Sequence, residues 1–305
     1  MIRRRGARAG SPAETAKRGN SMGEISEKEN DQARVVHWYA AHRPDLIALA
    51  YRMLGSLSDA EDVVQELFAS LQEERLTTVS NPRAYLAKAV ARRCLNVMKS
   101  AARRKVSYVG QWLPEPWTAS SDSTLEEVER RDDVSYAFMV MMERLTPLER
   151  AVVVLREGFG CEYAEIAGML EKTEAACRKL LSRARNKLGG SAAQPAPRPP
   201  REEKRIVQRW AASLASGSIE DVLELIAEDA VLVTDGGGKV RSAINPIYGR
   251  MRVAALLRTI SSRRLRHARL HVERICGSWG IMAVENGRVT GAACFDWNEI
   301  GRAHV

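Results

Sequence analysis

The sequence predicts a multidomain chain, two all-α helical domains followed by a smaller α+β domain. Three observations carry that reading. Capping boxes and prolines at first helical positions open a succession of amphipathic helices between residues 32 and 188. The Pro/Ala/Gly stretch GGSAAQPAPRPP, residues 189–200, then forms a semi-extended tether with nothing to build a core from. Beyond it, short apolar runs separated by Gly-rich or Asn-Gly turns replace the helical period.

In chain order, residues 1–31 are charged and rich in Gly and Ser, the composition of a disordered tail. Arg3, Arg4, Arg5 and Arg8 are not followed by an apolar segment, so the tail is no secretory signal, and Met22 offers an internal start. The first helical unit is expected over 32–105. Its first helix carries Val35, Trp38, Tyr39, Leu46, Leu49, Ala50, Met53 and Leu54, with Pro44 as an interruption and Gly55 as the stop. Ser58-Asp59-Ala60-Glu61 reads as a capping box opening a second helix to about Glu73. Asn81-Pro82 is an N-cap followed by proline, starting a third helix to about Arg104. These last two carry opposite charge: Asp59, Glu61, Asp62 and Glu66 on one, Arg83, Lys88, Arg92, Arg93, Lys99, Arg103, Arg104 and Lys105 along the other. Acidic residues in a first turn also complement the helix dipole, and a basic face can simply be solvated. Tyr85 beside the cations favours contact with a melted or single strand.

The linker 106–123 holds YVGQWLPEPW, whose prolines exclude a helix and whose tryptophans call for a packing partner. The second helical unit spans 124–188. Thr146-Pro147-Leu148-Glu149 is a capping box with proline at the first position. Tyr163, Ile166, Ala167 and Leu170 form a helical stripe, Glu171-Lys172-Thr173 a turn, and Thr173 the next N-cap. On the following helix Cys177, Leu181, Ala184 and Leu188 point inward. Ala175, Lys179, Ser182, Arg183 and Asn186 point outward, flanked by Arg178 and Arg185. A helix-turn-helix with a basic and small-polar outer face suits the DNA major groove; an ordinary helical hairpin with a solvated charged face is the plainer reading of this segment alone.

The last unit, 202–299, begins with helices at 204–216 and 219–226. A strand follows at 230–234, then the tight turn Asp235-Gly236-Gly237-Gly238-Lys239 and a helix at 253–260. Strands are expected at 268–275, 280–284 and 289–295, with Asn286-Gly287 as a hairpin turn.

With 47 Lys and Arg against 38 Asp and Glu, the net charge of +9 favours a polyanionic partner. No apolar run reaches the roughly 18 residues of a membrane span. The five cysteines form no CxxC or Cys/His cluster, which argues for free thiols in a reducing cytoplasm and against a zinc site or disulfide framework. Asp229, Asp235, His271 and Glu285 could serve as bases, but no pair has a catalytic spacing. Neither an enzyme, a cofactor nor a metal is expected.

Tyr51-Arg52-Met53-Leu54-Gly55 with Asp59-Ala60-Glu61-Asp62-Val63-Val64-Gln65-Glu66, then Asn81-Pro82-Arg83-Ala84-Tyr85-Leu86, then Leu145 to Leu188, occur in an order and spacing that resembles the extracytoplasmic-function (ECF) sigma factors of the sigma-70 family. The resemblance implies a region 2 whose Asp59, Asp62, Gln65 and Glu66 dock on the clamp of core RNA polymerase (its β and β′ subunits). It implies that Lys88, Arg92, Arg93, Asn96, Lys99, Arg103 and Arg104 hold promoter DNA near −10. In region 4, Arg178, Lys179, Ser182, Arg183 and Asn186 would engage the −35 element. The linker motif and the Asp235–Lys239 turn look like the SigJ-like group, in which a SnoaL-like domain of the NTF2-like cone fold regulates the sigma factor in cis. Asp235, Gly236, Gly237, Gly238 and Lys239 are then regulatory residues. A small ligand or an anti-sigma protein is a further expected partner, and a membrane is not. The alternative is a freestanding helix-turn-helix regulator with a ligand-sensing C-terminal domain.

Two departures stand out. The group's final strand and Asn-Pro-Asp-type motif are lacking, so the cone domain is expected to be truncated at its C-terminus with an unpaired edge. Residues 300–305, Ile-Gly-Arg-Ala-His-Val, are what a widely used sequencing adapter encodes in frame, and are expected to be an artefact; resequencing the locus tests that.

Overall fold

The computed structural model describes residues 12–71, 79–105, 113–118, 136–188, 200–237, 240, 242–297 and 303–304. Its first helix, α1 (Pro12–Leu54), begins inside the stretch expected to be disordered and runs straight through Pro44. The proline removes one N–H···O bond without ending the helix. The surrounding turns are held instead by burial of Val35, Trp38, Leu46, Ile47, Leu49 and Met53. Gly55, at φ +75°, takes the left-handed cap that stops α1 and donates its N–H to the Tyr51 carbonyl at 2.7 Å.

Helix α2 (Leu57–Leu71) starts two residues earlier than the expected capping box. Its N-cap is Ser56, whose Oγ accepts from the Asp59 N–H at 3.3 Å. The carboxylate of Glu115, from the linker, accepts from the Leu57 N–H at 3.1 Å and the Ser56 hydroxyl at 3.2 Å, so a distant residue shares the cap. Helix α3 (Pro82–Lys105) follows its expected cap, with Asn81 Oδ1 accepting from the Ala84 N–H at 3.1 Å.

The second helical unit contains α4 (Tyr136–Met142), α5 (Pro147–Val153), α6 (Tyr163–Leu170) and α7 (Glu174–Lys187). The Thr146 capping box forms in both directions. Helix α5 then widens into a π-turn, Val154–Gly158, closed by the Phe159 N–H donating to the Val154 carbonyl at 3.1 Å. Gly158 leaves room there for the buried Arg52: a Cβ would lie 2.6 Å from a guanidinium nitrogen, which would have to shift.

The C-terminal unit contains α8 (Pro200–Ser216), α9 (Ile219–Leu225), β1 (Val231–Leu232), β2 (Ile247–Tyr248), α10 (Arg250–Arg263), β3 (Arg269–Ile275), β4 (Ser278–Glu285), β5 (Arg288–Ala293), β6 (Asp296–Trp297) and β7 (Ala303–His304). It is α+β as expected, but strand β2 is unforeseen and the strands form separate ladders, β1-β2, β3-β4-β5 and β6-β7, all antiparallel. Asn286 and Gly287 both take positive φ, the two-residue hairpin turn their sequence predicts. The expected artefact is partly described, with Ala303 and His304 pairing Trp297 and Asp296.

Two hydrophobic cores result. The first runs without a break through both helical units and takes in Trp117, Ile275 and Cys276. The second lies inside the C-terminal unit around Val207, Trp210, Ile226, Val253, Ile281 and Phe295. Among the described residues no helix is long and apolar enough to cross a membrane.

Candidate nucleic-acid interface

Helix α7 is laid on the protein by Cys177, Leu180, Leu181 and Ala184, so Leu180 joins the inward face that periodicity assigns. Its expected reading set, Arg178, Lys179, Ser182, Arg183 and Asn186, is exposed. The Thr173 hydroxyl accepts from the Ala176 N–H at 3.2 Å and fixes where the helix begins. Arg178 lies over the Tyr163 ring, 4.8 Å from its centroid, while Nη2 reaches Glu174 at 2.8 Å. Arg156 approaches the same ring at 4.9 Å. Tyr163 thus holds two cations at the mouth of the helix-turn-helix.

Glu149 locks α7 to α5. This carboxylate, 3% exposed, accepts from the Thr146 N–H and hydroxyl at 2.9 Å each and from Lys187 Nζ at 2.7 Å, and lies 4.0 Å from Arg183 Nε. Burial opposes its ionised form, but the Lys187 ammonium and the Thr146 donors outweigh that and hold the carboxyl below the usual carboxylate range. Arg185 Nε is held by Glu157 at 2.9 Å.

On α2 the expected polymerase-docking residues Asp59, Asp62, Gln65 and Glu66 share one exposed face, opposite the buried Ala60, Val63, Val64, Leu67, Phe68 and Leu71. Of the residues expected near −10, Asn96 and Lys99 are exposed and Lys88 is half-buried. Arg103 and Arg104 fall in the last turn of α3. Two others are already engaged within the protein. Arg93 donates to Ser70 Oγ on α2 at 2.8 Å. Arg92 crosses to the second helical unit: Nε donates to the Met169 carbonyl at the end of α6 (3.1 Å) and Nη2 to Glu171 (2.6 Å). Glu171 sits at φ +54°, a conformation unfavourable for its residue type, in the turn of the helix-turn-helix.

The helical units are joined a second time by Arg150, which is buried. Its guanidinium donates to the carbonyls of Met142 (3.1 Å) and Met53 (3.0 Å) and pairs with Glu143 at 2.8 Å. The sequence gives no sign of this role, because an arginine within a cap-and-stripe pattern reads as surface.

The linker and the C-terminal unit meet both helical units at one junction. Tyr136 donates to the Pro114 carbonyl at 2.7 Å and Tyr51 to the Glu115 carbonyl at 2.8 Å. Trp117 lies edge-on to Tyr51 and accepts from the Cys276 N–H at 2.9 Å. Cys276 Sγ lies 3.5 Å from the Tyr51 hydroxyl. Burial, reinforced by that thiol, pushes the Tyr51 phenol well above its ordinary pKa, so it remains a neutral donor. Cys276 forms the β3-β4 turn with Gly277 at positive φ, a position where turn chemistry favours Asn or Gly.

Asp235 makes two contacts. One carboxylate oxygen accepts from the Gly237 N–H at 2.7 Å and shapes the turn; the other accepts from the Leu113 N–H of the linker at 2.9 Å. At Gly236 an added Cβ would sit 1.9 Å from the Val240 carbonyl oxygen. Gly238 and Lys239 lie outside the described residues. Between α8, α9 and α10 a cavity of about 10 Å³, bordered by Leu214, Val222, Leu257 and Ser261, has room for about one water. All five cysteines are free.

The family descriptions "Sigma-70 region 2" and "Sigma-70, region 4" match residues 38–104 and 135–188. The chain is 36% identical over 221 residues to the ECF RNA polymerase sigma factor SigJ of Mycobacterium tuberculosis, covering 72% of this chain and 70% of that protein. It is 34% identical over 191 residues to the probable ECF RNA polymerase sigma factor SigI of the same species, covering 62% and 65% respectively. The crystal structure of Mycobacterium tuberculosis SigJ superposes with a TM-score of 0.69 at 29% identity, over 88% of this chain and 94% of that one.

Proposed function

This chain belongs to the ECF sigma factors of the sigma-70 family, and from that premise we propose that it binds core RNA polymerase, recognises −35 and −10 promoter elements, and is regulated in cis by its C-terminal domain. The observation that carries the proposal is the outer face of α7, five reading residues on a helix whose other face is fixed by buried apolar side chains and by Glu149.

The division of labour follows from charge. The acidic face of α2 docks on the polymerase clamp, while α3 holds the phosphates and displaced strand near −10. Cations to phosphates supply affinity and salt dependence, and the fewer side chains reaching base edges supply sequence choice. Arg92 cannot hold Glu171 and a phosphate with the same guanidinium edge, so promoter engagement by α3 requires the helix-turn-helix to part from it. The C-terminal domain acts on that opening through the Asp235–Leu113 and Cys276–Trp117 contacts, with Asp235, Gly236, Gly237, Gly238 and Lys239 as the regulatory turn. No catalytic step is assigned to the chain, and its place of action is the cytoplasm, with polymerase and promoter.

Run-off transcription with bacterial core polymerase on a promoter library tests the proposal. Discrete new start sites that depend on the chain are expected. Specific duplex binding without core, together with no initiation, would overturn the proposal in favour of a freestanding regulator.

A further inference from the structure

Between Arg250 and Arg274 the chain carries eight arginines and two histidines against one carboxylate, Glu273, and no lysine. The acidic residues of the C-terminal unit are concentrated elsewhere, at Glu202 and Glu203 of α8, Glu220, Asp221 and Glu224 of α9, and Glu228 and Asp229 just after it. Carboxylates are therefore scarce along 250–274, although α8 mixes Arg201, Lys204, Arg205 and Arg209 with its two glutamates.

Exposed arginines follow one another along α10, the turn after it and the start of β3. Helix α10 buries Val253, Ala254 and Leu257, leaving Arg252, Arg258 and Arg263 exposed. The connecting turn adds the exposed Arg266 and His267. Strand β3 is an edge of its sheet; Leu270 and Val272 pack toward the second core while Arg269 and His271 project from the other face. Among the described residues Arg250 is held by Glu228 at 2.7 Å, whereas Arg252, Arg258, Arg263, Arg266 and Arg269 have no ion-pair partner. Charge that merely shields an edge strand can be of either sign and is needed only on the strand. Here, apart from Glu273, it is arginine and histidine, and arginine, the side chain whose planar fork suits phosphate, continues along the helix.

From this arrangement we propose that the α10–β3 arginine band is a third DNA-backbone site, one that grips duplex flanking the promoter elements without reading sequence. Its position supports that partner. The inner end of β3, at Ile275 and Cys276, lies in the core shared with the helical units. The strand then runs outward for roughly 20 Å at about 3.3 Å per residue. The exposed arginines therefore sit on the unit that this core joins to the helical units that carry the −10 and −35 residues. The inference rests on the promoter-binding reading above.

The test uses the full chain with core polymerase and a promoter found by run-off transcription. One duplex ends just outside the two elements; a second extends well beyond them on both sides. Arg258→Gln, Arg263→Gln, Arg266→Gln and Arg269→Gln are combined in one variant, and binding is followed across a salt series. With about 0.9 counterions released per phosphate contact, the slope of log K against log salt for the long duplex should shrink in magnitude by up to about 3.6, and affinity at low salt should fall at least about tenfold. The short duplex should not distinguish variant from parent. The four Arg→Lys replacements should restore the slope, since a phosphate site needs the charge. Unchanged run-off start sites show that the variant is folded and still a sigma factor, so failure of the band is separable from failure of the sigma reading. Equal slopes on both duplexes overturn the proposal. Equal slopes together with variant-sensitive binding to phosphatidylglycerol-containing vesicles overturn it in favour of a membrane surface.

Discussion

At Glu149 one carboxylate caps α5 through Thr146 and holds Lys187 of the recognition helix. Glu149→Gln keeps the shape but removes the charge, and should cost about 1–3 kcal/mol of stability, read as a lower urea midpoint. The same group sets a pH dependence. Because its folded pKa is depressed, the stabilisation is fully present above the ordinary value of 4.5 and is lost as pH falls through the lower folded value. Urea midpoints of the parent should therefore fall below about pH 4.5 more steeply than those of Glu149→Gln. Arg183, exposed and 4.0 Å from Glu149, is free to swing toward DNA. Arg183→Ala should cost about 1–3 kcal/mol of −35 binding and relax specificity at one base pair, measured on a panel of single-base promoter variants. A loss equal across all the sequences would make it a phosphate contact instead.

Among elements, the helices that sequence locates best are those whose caps are local. Thr146, Thr173 and Asn81 each satisfy a backbone donor three residues on, so four neighbouring residues suffice to place the start. For helix α2 the local pattern points two residues late because half of its cap is Glu115, more than fifty positions away and invisible to any local window. Pro44 signals a break for the complementary reason: propensity is local, while the burial that carries α1 past it is tertiary. The candidate site divides in the same way. Outward faces of α2 and α7 follow from helical period, whereas the engagement of Arg92 by Glu171 and the burial of Arg150 arise only when helices far apart in sequence meet. Arg150→Met should destabilise the joined helical units by about 1–3 kcal/mol, by urea unfolding, since it leaves the Met53 and Met142 carbonyls without their donor and takes the cation from half-buried Glu143. Glu171→Gln should cost far less, about 0.2–1 kcal/mol, because that carboxylate is mostly exposed. The same change should tighten binding of a −10 single strand.

For the molecule as a whole, the distribution of apolar burial matters more than the domain boundaries. One core serves both helical units and a second serves the C-terminal unit. Urea unfolding should accordingly show the two helical units melting together and the C-terminal unit melting separately. Distinct transitions for region 2 and region 4 would contradict a shared core. Gly236→Ala should weaken the joint between the two bodies, because a Cβ there collides with the Val240 carbonyl and displaces Asp235 from Leu113. Trp117 gives that joint an optical signature. Its indole is buried at the meeting point of linker, α1 and the β3-β4 turn, edge-on to Tyr51. Any opening wets the indole and shifts its emission to the red. The difference spectrum between the parent and Trp117→Phe isolates its signal from the five other tryptophans. Polymerase capture could then be timed in a stopped-flow cell without attaching a dye.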